Sequence, residues 1–138
     1  MPADPRPAEV TVARVERNAI LGLRERVLSG TRHVRVLSGD MAPTTRHWAA
    51  SSGGVVVGCV SVMRLRGWAL RGMAVSSDSQ RQGIGAQLLR VVCTDVGAPM
   101  WCNARMGAVS FYSHMGWVEV SPVFNLQGQP HQRMVCHA

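Results

Sequence analysis

Apolar and polar positions along this chain form blocks of two kinds, alternating or continuous runs that predict strands and 3.6-spaced stripes that predict helices. Glu9 to Glu16 carries Val10, Val12 and Val15 in partial alternation and predicts a first strand. Asn18 then offers a cap to a helix through Ile20, Leu23, Val27 and Leu28, stopped by Ser29-Gly30. Thr31 to Pro43 shows no period and predicts irregular chain. Thr45 to Ala50 reads as a strand, Ser51-Ser52-Gly53-Gly54 as a hairpin turn, and Val55 to Leu65 as a long apolar strand. Arg66-Gly67 turns the chain into a further strand, Trp68 to Val75, closed by the polar turn Ser76-Ser77-Asp78-Ser79.

Beyond that turn the period changes. Ile84, Leu88, Val91 and Val92 fall on one helix face and Gln87, Arg90 and Thr94 on the other. Pro99 to Asn103 predicts a short strand, and Ala104, Ala108, Phe111 and Met115 share the face of a third helix that Gly116 terminates. Trp117 to Asn125 predicts one strand, Gln127-Gly128-Gln129-Pro130 a turn, and His131 to Cys136 the last strand. The predicted order is β-α-β-β-β-α-β-α-β-β, an α/β fold with a mixed sheet. No linker, repeat or low-complexity tract divides it: residues 1–7 are expected to be mobile and 8–138 to form one domain.

Composition narrows the class more than the chemistry. With 138 residues the chain can bury a proper core. It has no apolar run long enough to span a bilayer, and its start carries Pro, Asp and Glu rather than a basic-then-apolar signal, so a cytoplasmic protein is expected. Cys59, Cys93, Cys102 and Cys136 lack metal-ligand or disulfide-framework spacing, so neither a metal nor a bridge is expected; they read as small core residues, with a reactive thiol beside the cleft as the other reading of Cys102. The net charge of +7 comes from arginine alone, and the chain has no lysine. The arginines are spread from Arg6 to Arg133 rather than clustered, which argues for a solvated surface and against a nucleic-acid interface.

The segment richest in chemistry is Gln80-Arg81-Gln82-Gly83-Ile84-Gly85-Ala86, between the Trp68 strand and the helix that follows. Glycines there let the backbone approach a ligand, and the first N–H groups of the helix have no partners inside it. Such a start binds phosphate, and Arg81 adds positive charge. A mononucleotide loop would require a Gly-Lys pair, excluded by the absence of lysine. A dinucleotide fingerprint would require a third glycine where Leu88 stands. A glycine-rich helix cap without a ligand is the structural alternative.

Taken with the later run Asn103, Ala108, Phe111, Tyr112, Gly116 and Trp117, this segment resembles the GNAT superfamily of acyl-CoA-dependent N-acyltransferases. In that family an Arg/Gln-x-x-Gly-x-Gly/Ala turn cradles the coenzyme A pyrophosphate, and an Asn-x-x-x-x-Ala-x-x-Phe-Tyr-x-x-x-Gly-Phe run follows. Trp117 stands here for the final phenylalanine. The match is clear from about Val55 to Val120. The ending Pro130-His131-Gln132-Arg133-Met134 resembles one bacterial branch of the superfamily.

The resemblance implies a sheet of six to seven strands, flanked by helices and splayed open between the fourth and fifth strands, with the thioester arm of acetyl-CoA in the gap. It implies cofactor contacts from Met73, Ala74 and Val75 on the splayed strand, from Arg81, Gln82, Gly83, Ile84, Gly85 and Ala86 at the helix start, and from Asn103. Tyr112, the sole tyrosine, stands at the family's general-acid position, and its ordinary pKa of about 10 keeps it protonated near neutrality. His131 is the leading candidate for a base and His47 a lesser one, the other reading of each being a strand-end hydrogen-bonder. The function implied is direct transfer of an acetyl group to a primary amine of a small molecule or peptide, with no metal and no membrane partner. A homodimer is consistent with it. A non-catalytic acyl-CoA sensor is the alternative. No cluster of carboxylates suggests a polycationic acceptor, so a less cationic or an anionic amine is expected.

Overall fold

A computed structural model describes residues 9–28, 42–80 and 82–137 of the chain. Its eight strands form one sheet, β1 (Val10–Val15), β2 (Arg46–Ser52), β3 (Val55–Arg64), β4 (Trp68–Val75), β5 (Met100–Arg105), β6 (Val118–Glu119), β7 (Phe124–Leu126) and β8 (Gln129–Cys136). The spatial order is β1-β2-β3-β4-β5-β8-β6, with β7 also on β8. Every pairing is antiparallel except β4 with β5. Three helices flank it: α1 (Leu21–Leu28), α2 (Ile84–Val96) and α3 (Val109–His114).

The periodic residues explain the layers. Ile84, Leu88, Leu89 and Val92 of α2 are buried against Trp48, Val60, Val62 and Leu70 on one face of the sheet, and Tyr112 and Trp117 join the same cluster. On the opposite face Ile20 and Leu23 of α1 pack against Ala49, Cys59 and Ala74. α1 also carries the fully buried Arg24 to this face, where its Nη2 donates to Ser61 Oγ at 2.8 Å. Gly58 of β3 lies directly beneath α2: a Cβ there would stand 2.9 Å from Leu88 Cδ1 and 3.0 Å from Ile84 Cγ2. Both side chains are buried on every side and cannot yield. Gly58→Ala is therefore expected to cost about 1–3 kcal/mol by overpacking, read as a lower denaturant midpoint; an unchanged midpoint would mean that α2 lifts freely from β3.

Several elements differ from the sequence expectation. The run Trp117 to Asn125 is two strands, not one, which makes the sheet eight-stranded rather than six- to seven-stranded. Pro122 has no N–H to give a ladder, and Ser121 Oγ takes the place of a backbone acceptor by receiving Arg133 N–H at 2.9 Å. Asn18 does not cap α1: it lies in a 3₁₀ turn, Arg17–Ala19, that leads into the helix. Ala104 belongs to β5, which runs on to Arg105, and α3 begins only at Val109 after a second 3₁₀ turn. The expected N-terminal segment 1–7, most of the irregular stretch Thr31 to Pro43, the Ser29-Gly30 stop and Arg81 lie outside the described residues.

Candidate active site

β4 and β5 pair only at Trp68 with Met100 and Ala69 with Trp101; beyond these the parallel strands diverge. A bulge in β4 accompanies the divergence. Cys59 faces Ala74 and Ser61 faces Arg71, so Val60 alone opposes both Gly72 and Met73. Gly72 has φ +63°, the left-handed conformation that admits glycine at no steric cost. Such a bulge bends a strand and re-aims its backbone groups, here next to the gap. The opening is a cleft of about 550 Å³ whose walls include Met73 from β4, Asn103 from β5, Tyr112 from α3 and His131 from β8.

At the far end of β4 the chain turns into α2. Gly83 is the residue before the helix, at φ +77°, and no side chain caps the first turn. Gln82 and Gly83 are exposed and Gly85 and Ala86 half-buried, whereas the Ile84 side chain points into the core, so this residue has only its backbone to offer a ligand. Gly85 is pressed against Phe111, whose Cζ would lie 3.4 Å from an added Cβ. Gln80 does not reach forward; its Nε2 donates to Val75 O at 3.1 Å and fixes the end of β4. These features suit a pyrophosphate: a long helix, an uncapped first turn and a glycine that leaves the approach open.

Tyr112 is buried between Phe111 and Trp117, with ring centroids 5.1 and 5.2 Å away. Its hydroxyl lies 4.0 Å from Met73 Sδ and within hydrogen-bonding reach of the Cys102 thiol. Burial pushes the phenol well above its ordinary pKa, and the neighbouring Cys102 sulfur raises it further. The Cys102 thiol is itself pushed up to about 12 by burial, against a lowering by the Tyr112 hydroxyl. Both groups hold their protons near neutrality, so Cys102 is no nucleophile there.

On the facing wall, His131 Nδ1 lies 2.8 Å from the carbonyl oxygen of Gln129. A carbonyl only accepts, so Nδ1 carries the proton of the neutral ring and Nε2 is its basic nitrogen. Asn103 Oδ1 accepts from Arg133 Nε at 3.1 Å across the β5–β8 pair, and the Arg133 guanidinium stacks 4.7 Å over Trp101. His47 is not in the cleft: it is buried, with Nδ1 2.6 Å from Ser61 Oγ, which also receives Arg24. Of the β4 residues expected to contact the cofactor, only Met73 lines the cleft; Ala74 and Val75 do not. Among the described residues no three His, Cys, Asp or Glu side chains come together to hold a metal, and no helix is long and apolar enough to cross a membrane.

Two features escaped the sequence reading. One is the bulge, for which Gly72 inside an apolar strand was an available signal. The other is Arg71 and Arg105, both in the cleft wall, which spacing alone could not separate from the other arginines.

A sheet splayed beside a glycine-entered helix is the architecture of acyl-CoA N-acyltransferases, and solved structures of that class superpose on it. An acyl-CoA N-acyltransferase from Pseudomonas aeruginosa matches with a TM-score of 0.78 at 20% identity, over 92% of this chain and 99% of that one. Escherichia coli ElaA matches with a TM-score of 0.81 at 17% identity, again over 92% and 99%. An aminoglycoside 6'-N-acetyltransferase complexed with coenzyme A matches with a TM-score of 0.74 at 15% identity, over 92% and 96%. No curated protein is similar enough in sequence to match. The family model for the acetyltransferase (GNAT) domain matches residues 13–138, and the chain belongs to that family. It is an acyltransferase that uses an acyl-CoA donor.

Proposed function

We propose that the chain transfers the acetyl group of acetyl-CoA directly to a primary amine of a small molecule or peptide. The observation that carries this reading is that Tyr112 and His131, a proton donor and a proton acceptor, line the one cleft that opens beyond the last β4–β5 pair. When bound, acetyl-CoA supplies an activated acyl carbon and a thiolate leaving group. The backbone of Gln82 to Ala86 would hold its pyrophosphate, with Arg81 adding charge. Met73, Ala74 and Val75 would hydrogen-bond its pantetheine arm through the unpaired edge of β4.

The roles of the side chains follow from their protonation. Tyr112 keeps its proton and can give it, or a strong hydrogen bond, to sulfur. His131 offers a free Nε2 to take a proton from an ammonium acceptor, leaving a neutral amine. Asn103 acts by holding Arg133, and through it the shape of the wall. The test is release of free thiol from acetyl-CoA in the presence of a panel of amines, amino acids and peptides. Turnover above hydrolysis with at least one amine is expected. Tight acetyl-CoA binding with no such turnover would instead favour an acyl-CoA sensor.

A further inference from the structure

Cysteines that show no pairing along the sequence are sorted by the fold. Cys59 belongs to the layer under α1, and Cys102 lies against Tyr112. Cys93 and Cys136 meet each other near the end of α2. In β8, Met134 and Cys136 stand opposite Cys102 and Met100 of β5. Met100, Cys102 and Met134 are buried in the core beneath α2, so Cys136, which alternates with Val135, points to that side as well. Cys93 comes from the helix. It follows the buried Leu89 by one turn, and its carbonyl accepts the N–H of Gly97 at 3.0 Å where α2 stops. Gly97 takes φ +61° and reverses the chain, which then enters β5 at Met100, the partner of Cys136.

The side chains follow this backbone arrangement. Both cysteines are half-buried and pack against the same core cluster. Both are free thiols, and their sulfurs lie within hydrogen-bonding reach of each other. Burial, and after it the neighbouring Cys136 sulfur, pushes the pKa of Cys93 up, which makes Cys93 the slower of the two to attack a reagent. Cys136 precedes the exposed His137 at the end of β8, where a small reagent can arrive.

The pair also spans two parts of the molecule. α2 is fastened to the first strands: Gln87 Nε2 donates to Val10 O at 3.0 Å, and Trp48 Nε1 donates to Asp95 Oδ2 at 2.8 Å. β8 is fastened to β5 along the whole of that strand, from Met100 to Arg105. Between these halves the sheet itself supplies only the Trp68–Met100 and Ala69–Trp101 pairs.

We infer that Cys93 and Cys136 form a reversible disulfide that ties α2 to the last strand, a redox-controlled staple across the splayed sheet. The oxidant is a small-molecule disulfide such as oxidised glutathione. The Cys136 thiolate attacks one sulfur of the reagent, forming a mixed disulfide and expelling one small thiolate. The Cys93 sulfur, giving up its proton, then attacks the Cys136 sulfur and expels the second. Two protein thiols become one S–S bond, and the reagent is reduced to two thiols that carry both protons. The bridge closes a loop of about forty residues, which restricts the unfolded chain and so favours the folded one. It lies toward the opposite end of α2 from Gly83, about 15 Å along the helix, and at the paired end of β4 and β5, so the cleft is left open.

The whole chain, reduced and freed of reductant, is incubated in native buffer with oxidised glutathione, then denatured and alkylated. Two of the four cysteines are expected to escape alkylation, and the unreduced digest to contain peptides joined through Cys93 and Cys136. The oxidised protein is expected to melt about 5–15 °C above the reduced one, and dithiothreitol to reverse the rise. Cys136→Ser is expected to abolish both bridge and rise. Cys93→Ser repeats the test from the helix side should Cys136→Ser fail to fold, and the melting temperature of each untreated variant reports its folding. Full alkylation after oxidation, a bridge through Cys59 or Cys102, or glutathione retained on Cys136 overturns the inference. So does a bridged protein that melts no higher than the reduced one, or an equal rise in either folded variant.

Discussion

Gly83→Val is expected to remove the stabilisation that acetyl-CoA confers while leaving a folded protein. Gly83 holds φ +77° and an added Cβ would meet nothing within 4 Å, so the substitution introduces backbone strain without a clash in the core. A β-branched residue in that conformation is an outlier and costs about 1–2 kcal/mol, which the turn escapes by rotating out of the left-handed region. That rotation redirects the first N–H groups of α2, the feature on which the pyrophosphate assignment depends. In wild type, ligand at one hundred times its Kd stabilises by about 2.7 kcal/mol, a shift of several degrees. The variant at the same concentration is expected to shift by less than about 1 °C. Gly85→Val is the poorer test, since its side chain would press on Phe111 as well. Equal shifts in wild type and folded Gly83→Val would remove the phosphate from this helix start.

What could be read from the sequence was what local pattern controls. The α2 face, the apolar run of β3 and the glycine turn before the helix each follow from residues within a few positions of one another, and each appears in the structure. Tyr112 and His131 were both singled out, but nothing in a linear pattern says that α3 and β8 bring them to one cleft; only the β5–β8 pairing does. The break in the Trp117 run had a local signal in Pro122, but the partner that Ser121 finds at Arg133, across the sheet, had none. The arginines of the cleft wall were missed for a related reason. Arg71 and Arg105 are far apart in sequence, and only the sheet register puts them on one face, while helix α1 carries Arg24 into the core. Belonging to the GNAT family fixes the donor class, not the acceptor.

Tyr112→Phe is expected to lower kcat about 100-fold while leaving the fold and the KM for acetyl-CoA nearly unchanged. The ring keeps its contacts with Phe111 and Trp117, and among the described residues the polar partners lost are the sulfurs of Met73 and Cys102, both weak. A factor of 100 corresponds to about 2.7 kcal/mol of barrier. The lower end of the general-acid range is the right expectation, because burial has raised the pKa of this phenol and a weaker acid gives its proton less readily. The same shift sets the pH dependence. An acid must be protonated to act, and a pKa raised above the ordinary value of about 10 keeps Tyr112 protonated throughout a neutral-to-alkaline assay. The wild-type profile should therefore show no descending limb from this group below about pH 10, and its rising limb should survive in Tyr112→Phe because it reports deprotonation of the acceptor amine. A loss smaller than about threefold would show that water or another group protonates the departing sulfur, and Tyr112 would then be a packing residue whose hydroxyl contributes nothing to the chemistry.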